Sequence, residues 1–306
     1  MSLVIAREEP TTRNLTTLTQ VKCALGITDN TADALLQRLI TSATTLIERH
    51  TDRVFAKRLV TEQFGVDESG VPELSPFRVS LSQLPVLMLD AARLDDAEYD
   101  ITNVVIENDK AGFLFSRDGF SHTNIRAQGI ETIRTRFINP IWEFDYSAGY
   151  TLPSFPAIKK AFTNAEVDAD ADTIGIVNHG MSSGDTVKFT TEGTLPGGLV
   201  LNRPYLLRDV TDDTFKVTTR PGGAAVDLTS VGDAGPHSVQ RQVTLPADLE
   251  NIAVDLVSTM YAASGRDRTI KSERLGDWSA TYATGADMPG GLPDSVKSQL
   301  QAWIRY

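Results

Sequence analysis

Apolar residues recur along this chain in two rhythms. In the stretch 15–53 they come three and four apart: Leu18, Val21 and Leu25, then Leu35, Leu36, Leu39, Ile40, Ala43, Leu46 and Ile47. That spacing paints one stripe along a helix. It predicts a short helix stopped by Gly26, followed by a long one. Asn30, with Asp33 three residues on, reads as a capping-box-like start of the long helix, and Glu48, Arg49, Asp52 and Arg53 close it with charge. The helical rhythm returns at Leu249, Ile252, Ala253, Leu256, Val257 and Met260. Pro246 suits the first turn there, where its missing N–H costs nothing, so a helix is expected over 246–263. A last helix is expected over 293–305, with Val296, Leu300, Trp303 and Ile304 on one face. So short a helix is not stable alone; it must dock on this chain's own core or on another protein.

Between 58 and 150 the period shortens to two. Leu59 to Phe64, Phe77 to Leu81, Pro85 to Leu89, Ala111 to Phe115, Ile130 to Phe137 and Trp142 to Tyr146 are short β-rich runs punctuated by Gly, Pro, Asp and Asn. They predict a small antiparallel sheet. Ile270 to Tyr282 reads as strand, turn, strand. Residues 1–14 carry neither period and read as a polar arm.

Thr151-Leu152-Pro153-Ser154 is echoed by Thr244-Leu245-Pro246-Ala247 some ninety residues later. The stretch between is all β in pattern: Asp172 to Val177, Thr186 to Thr190, Tyr205 to Val210 and Thr214 to Thr219, with Gly222 to Leu228 closing the unit. This predicts a β-domain inserted at 164–241, its two ends close together, in a core made of 1–155 and 242–306. Insertions of this kind are tolerated at exposed loops.

Two stretches carry a resemblance. "TLTQVKCALGITDN…LLQRLITSATTLIERHTDRVF", roughly residues 15–64, and the 246–263 helix followed by "IKSERLGDWSATY" are similar to the tailed-phage head-completion proteins, also called adaptors or head–tail connectors. "DYSAGY" at 145–150 resembles the end of their middle region. The resemblance implies an α+β fold, with a helical core (an N-terminal helix pair plus C-terminal helices), a small antiparallel β-region and the inserted all-β, barrel-like domain. It implies a structural virion protein of the neck, made in the host cytoplasm. Such a subunit joins others in a ring, typically of twelve, docks under the portal, extends the DNA channel and meets the next neck or tail connector protein. It implies a portal-facing C-terminal region, whose candidate contacts are Ile270, Arg274, Trp278, Tyr282, Val296, Leu300, Trp303, Ile304 and Tyr306. The inserted stretch ("NHG–x–x–x–GD–x–V–x–F … TLPGGL … TFK") resembles a β-barrel-like domain of phage structural proteins described as similar to the FCCH domain of ubiquitin-activating enzymes. That implies a contact module, reaching the capsid for example, and no activity. The competing reading is a tail, baseplate or fibre-associated binding module in which the β-domain does the work.

Charge and chemistry narrow the picture further. The chain has 306 residues and a net charge of −11. That argues against a phosphate-gripping surface, since nucleic-acid affinity comes mainly from Lys and Arg. An acidic wall would repel DNA and let it slide past. One cysteine, Cys23, forbids an intrachain disulfide framework; it is expected to be buried on an apolar helical face. No signal peptide is expected at the N-terminus, and no run approaches the ~18 apolar residues of a membrane span, so a soluble protein is expected.

No catalytic, cofactor or metal site is expected. Asp168, Asp170 and Asp172 resemble alternating calcium ligands, but Thr173 stands where the loop needs glycine and His179 where it needs glutamate. A solvated acidic linker fits them better. His50, His122, His179 and His237 have no metal spacing. His179, Gly180 and Asp185 read as turn organisers without a paired nucleophile. Gly197-Gly198 and Gly222-Gly223 lie between β-runs and match no phosphate loop. Trp278, Tyr282 and Trp303 lack the basic neighbours that base stacking would need.

Overall fold

The computed structural model describes residues 3–8, 10, 12–65, 77–94, 96–120, 142–264, 272–275, 278–281 and 292–304. The chain falls into two compact units. One is built on sheets and comprises Met1–Pro10, Lys57–Thr151 and Pro156–Val243; the other is mainly helical and comprises Thr11–Ala56, Leu152–Phe155 and Thr244–Tyr306.

The sheet unit opens with β1 (Leu3–Glu8), β2 (Arg58–Phe64), β3 (Arg78–Ser80), β4 (Val86–Leu94), β5 (Ala97–Tyr99), β6 (Val104–Asn108), β7 (Phe113–Ser116) and β8 (Trp142–Ala148). They form a five-stranded antiparallel sheet in the order β1-β2-β8-β4-β5 and a three-stranded one in the order β3-β7-β6. The two share a core. Side chains alternate across a strand, and β8 sends Trp142, Phe144, Tyr146 and Ala148 inward to meet Val60, Phe64, Val79, Val104, Leu114 and Phe120. The aromatic rings interlock: Trp142 stacks on Phe144 with centroids 5.8 Å apart, and Phe120 meets both edge-on at 5.5 Å.

One inward position in β2 is a carboxylate. Glu62 is fully buried between Val60 and Phe64. It accepts from Tyr146 Oη at 2.7 Å and from the Ser82 N–H at 2.8 Å, as well as from the Ser82 hydroxyl. A buried acceptor without such donors would be expensive. Burial, and then the neighbouring Glu62 charge, push the Tyr146 hydroxyl well above its usual range, so it stays protonated as the donor this contact needs.

Two expectations for this region change. Residues 3–8 are not a free arm: β1 pairs with β2, with Val4 opposite Glu62 and Val4 packed against the core. The run is too short and too near the terminus for its alternation to stand out. β5 and β6 are additional strands, and Ile130 to Phe137 lies outside the described residues.

The same unit continues with β9 (Lys159–Phe162), β10 (Val167–Asp168), β11 (Thr173–Gly175), β12 (Thr186–Thr191), β13 (Pro204–Arg208), β14 (Thr214–Thr218) and β15 (His237–Arg241). These make a seven-stranded antiparallel sheet in the order β10-β11-β14-β13-β12-β15-β9. Alternate residues fill its core, among them Val187 and Phe189 from β12, Tyr205 and Leu207 from β13, and Phe215 and Val217 from β14. Its closing strand is β15, not the 222–228 run, and β15 pairs with β9 so that His237 faces Phe162 and Gln240 faces Lys159.

The helical unit contains α1 (Leu18–Leu25), α2 (Asp33–Thr51), α3 (Ala247–Ser264) and α4 (Asp294–Leu300), and a hairpin of β16 (Ser272–Leu275) and β17 (Trp278–Thr281). Thr17 caps α1 by accepting from the Gln20 N–H, and Gly26 ends it at φ 68°. That left-handed turn suits glycine. The apolar stripes meet: Val21, Leu36, Ile40, Ala43, Ile47, Leu249, Ile252, Ala253, Leu256 and Val257 are all buried, and α3 packs on both α1 and α2.

Two readings are corrected here. α2 starts at Asp33 after Ala32, with no side-chain cap; Asn30 and Asp33 instead both accept from the Lys22 ammonium at 2.8 Å. Cys23 is exposed. With Val21 on the core face, a residue two places on lies about 200° round the helix, which turns the thiol to solvent.

Candidate assembly surfaces

The residues singled out at the C-terminus divide into three groups. Ile270, Tyr282 and Tyr306 lie outside the described residues. Arg274 and Trp278 belong to the hairpin, where Arg274 pairs with Ser279 and Leu275 with Trp278. Val296, Leu300, Trp303 and Ile304 come together at the end of the helical unit. Val296 and Leu300 are buried there, on a helix that packs against α2 and α3. Trp303 sits edge-on to Phe55 at 6.1 Å, and its carbonyl accepts from Arg53 Nη1 at 3.3 Å. The single turn of 3₁₀ helix at Gln301–Trp303 carries the chain to that contact.

A second surface lies in the sheet unit, where the loop before β12 meets the outer face of the five-stranded sheet. Gly184 takes φ 76°, and a Cβ there would run into the side chains of Ser147 and Leu87, so only glycine fits this approach. Ser183 Oγ donates to Asp90 Oδ1 at 2.7 Å. Beneath the loop Lys57 Nζ reaches Asp185 Oδ1 at 2.7 Å with side-chain exposures of 5% and 2%, and also donates to Ser182 O at 3.3 Å. The second Asp185 oxygen accepts from the Ser182 N–H at 2.9 Å and faces Arg241 Nη1 at 3.6 Å. A buried carboxylate is thus matched by a lysine from the edge of β2 and an arginine from β15.

Sequence inspection missed this ion cluster, because 128 residues separate Lys57 from Asp185. The only hint was a charged residue beside the strand start in each of two distant segments. Next to it, Arg7, Asp90, Ser183, Arg208 and Asp212 help line a cleft of about 660 Å³. Arg208 is held by Asp209 and the Gly223 carbonyl, and the mixture of charges concentrates neither sign.

The other candidates are occupied by turns. Asp168 accepts from the Asp170 and Ala171 N–H groups at 3.0 Å, and Asp172 from the Leu228 N–H at 2.8 Å. They shape the β10–β11 turn and its contact. His179 is buried and edge-on to Phe215 at 5.3 Å. Its Nδ1 accepts from the Met181 N–H at 3.0 Å, which leaves the proton on Nε2. His237 is held by Thr191 at 2.8 Å and by the Asp233 carbonyl at 3.2 Å. Among the described residues no three His, Cys, Asp or Glu side chains gather as a metal site, and no helix is long and apolar enough to cross a membrane.

Residues 15–85 match the family described as phage gp6-like head-tail connector protein. Over that segment the chain is similar to the head–tail connectors. The matched residues take in α1 and α2, the pair whose stripes build the helical core, and then β2 and β3 up to the turn at Pro85. None of the curated proteins matches the chain. The fold is α+β, and the 156–243 stretch lies beyond the matched residues.

Proposed function

We propose that this protein is the subunit of an adaptor ring that docks beneath the portal, extends the DNA channel and joins the head to the tail. The observation that carries the reading is the connector match over 15–85. Two features support it. A net charge of −11 suits a wall that DNA passes without being gripped. Residues 159–162 and 237–240 are zipped side by side, so the stretch between them leaves and rejoins the chain at neighbouring points. In this reading residues 156–243 are an accessory β-module, available to a capsid or tail partner, and the protein acts by contact rather than by catalysis.

Portal contact is assigned to the β16–β17 hairpin and the chain end beyond it. Val296 and Leu300 are buried, so removing 292–306 would also remove core. Substitutions in the hairpin are the cleaner test. The Arg274→Glu, Trp278→Ala double variant should keep the wild-type melting temperature and lose capture by immobilised portal protein at least tenfold. Capture equal to wild type would reject the portal-facing assignment.

A further inference from the structure

A β-sheet ends in two strands whose outer backbone groups have no neighbour, and such edges invite another strand unless they are short, charged or broken by a bulge. Most edges of the sheet unit are guarded in one of these ways. β5 and β3 have three residues each and β10 two. β9 carries Lys159 and Lys160. β6 keeps its register only over Val104–Ile106 before a shift, with Glu107 beside it.

β1 is the exception. It lies at the end of the five-stranded sheet, with β2 on one side and no described strand on the other. Its first four residues, Leu3-Val4-Ile5-Ala6, carry no charge and no proline. They pair in even register, from Leu3 opposite Gln63 to Ala6 opposite Val60, before the shift at Arg7. Among the described residues no backbone group outside β2 bonds to them. In an antiparallel ladder every second residue turns both its N–H and its C=O away from the partner, so this stretch holds out about four unmet backbone groups. The side chains add a surface to that row. Val4 packs on the core. Leu3 and Ile5 lie on the opposite face by alternation and are 57% and 44% exposed.

The chemistry of the edge sets what completes it. A row of N–H and C=O groups is matched by another extended backbone, as in recognition by strand addition. The Leu3–Ile5 face calls for apolar side chains at every second position of the incoming strand. We propose that Leu3–Ala6 receives an extended, proline-free segment of a partner protein as a sixth strand. A second copy of this chain does not supply it. Its β1 would pair with this one about a two-fold axis, and a two-fold contact stops at a dimer; the other edges of the sheet unit are the guarded ones. Setting the dimer aside rests on the ring reading above, whereas the open edge belongs to the single subunit.

The test uses the full chain and a synthetic probe, a peptide of alternating threonine and valine with a lysine at each end, read by amide-resolved hydrogen exchange. A few backbone bonds of modest net strength give binding in about the millimolar range, so the peptide is supplied at about 5 mM. The outward amides of Leu3–Ala6 have no acceptor in the free protein and should exchange about fivefold more slowly with the peptide. The same peptide with its backbone amides N-methylated should leave them unchanged. So should the plain peptide with the Leu3→Lys, Ile5→Lys double variant, whose charges guard the edge. No slowing in the wild type, or equal slowing by the N-methylated peptide, overturns the strand site. A wild type that sediments alone as a dimer, lost in the double variant, makes a second copy the occupant and overturns the proposal too. The double variant is melted beside the wild type; if its midpoint falls, Leu3→Thr, Ile5→Thr carries the same comparison. Ring formation is read separately by native mass spectrometry, where a lone monomer rejects the ring reading and leaves the exchange result at β1 standing.

Discussion

Glu62 and Tyr146 place a hydrogen-bonded polar pair inside a sheet core. The carboxylate occupies an inward position that the alternation of β2 reserves for an apolar side chain, and the tyrosine on the facing strand supplies its donor at 2.7 Å. The tyrosine titrates differently in the two states. In the unfolded chain its hydroxyl ionises near its usual 10.0, while burial and the Glu62 charge raise it in the fold. A raised folded-state value gives stability that is fully present below the unfolded value and drains away as pH climbs above it. Denaturation of wild type and Tyr146→Phe from pH 7 to 11 reads this directly. The stability of the wild type relative to the variant should be level up to about pH 9 and should fall beyond 10. A difference that stays constant through pH 11 would show that the hydroxyl ionises freely in the folded protein.

Elements whose period matches their burial were legible in the sequence. The α1, α2 and α3 stripes, the Gly26 stop and the 272–281 hairpin all follow from three-and-four spacing or from alternation. β9 and β15 were not legible. Lys159-Lys160-Ala161-Phe162 and His237-Ser238-Val239-Gln240-Arg241 offer little apolar alternation, and they are strands because each supplies the other's ladder. Cys23 was misplaced because the eye groups neighbouring apolar residues, whereas the helix sorts them by angle. The Lys57–Asp185 staple was invisible for a different reason: long-range ion pairing has no spacing rule. It fastens the loop before β12 to the start of β2, and removing Lys57 leaves the buried Asp185 to the longer 3.6 Å pairing with Arg241. Lys57→Met should cost about 3–5 kcal/mol in urea denaturation, and Lys57→Met with Asp185→Leu should recover much of it. A loss below roughly 1 kcal/mol, the range of an exposed pair, would mean that the cluster is solvated.

For the whole molecule, the sequence revealed the family segment and the two kinds of architecture, helical and all-β. It did not reveal that residues 1–10 and 156–243 share one compact unit with 57–151, because that grouping depends on contacts such as Ser183–Asp90 and on the glycine that admits the loop. The central claim concerns the assembly: a connector subunit should multiply into a ring on the portal. Native mass spectrometry of the purified protein, alone and mixed with portal protein, measures this most directly. The account predicts a closed oligomer of about a dozen copies, formed alone or on the portal. A 33.3 kDa species that ignores the portal would contradict it and move the tail or fibre-module reading to the front.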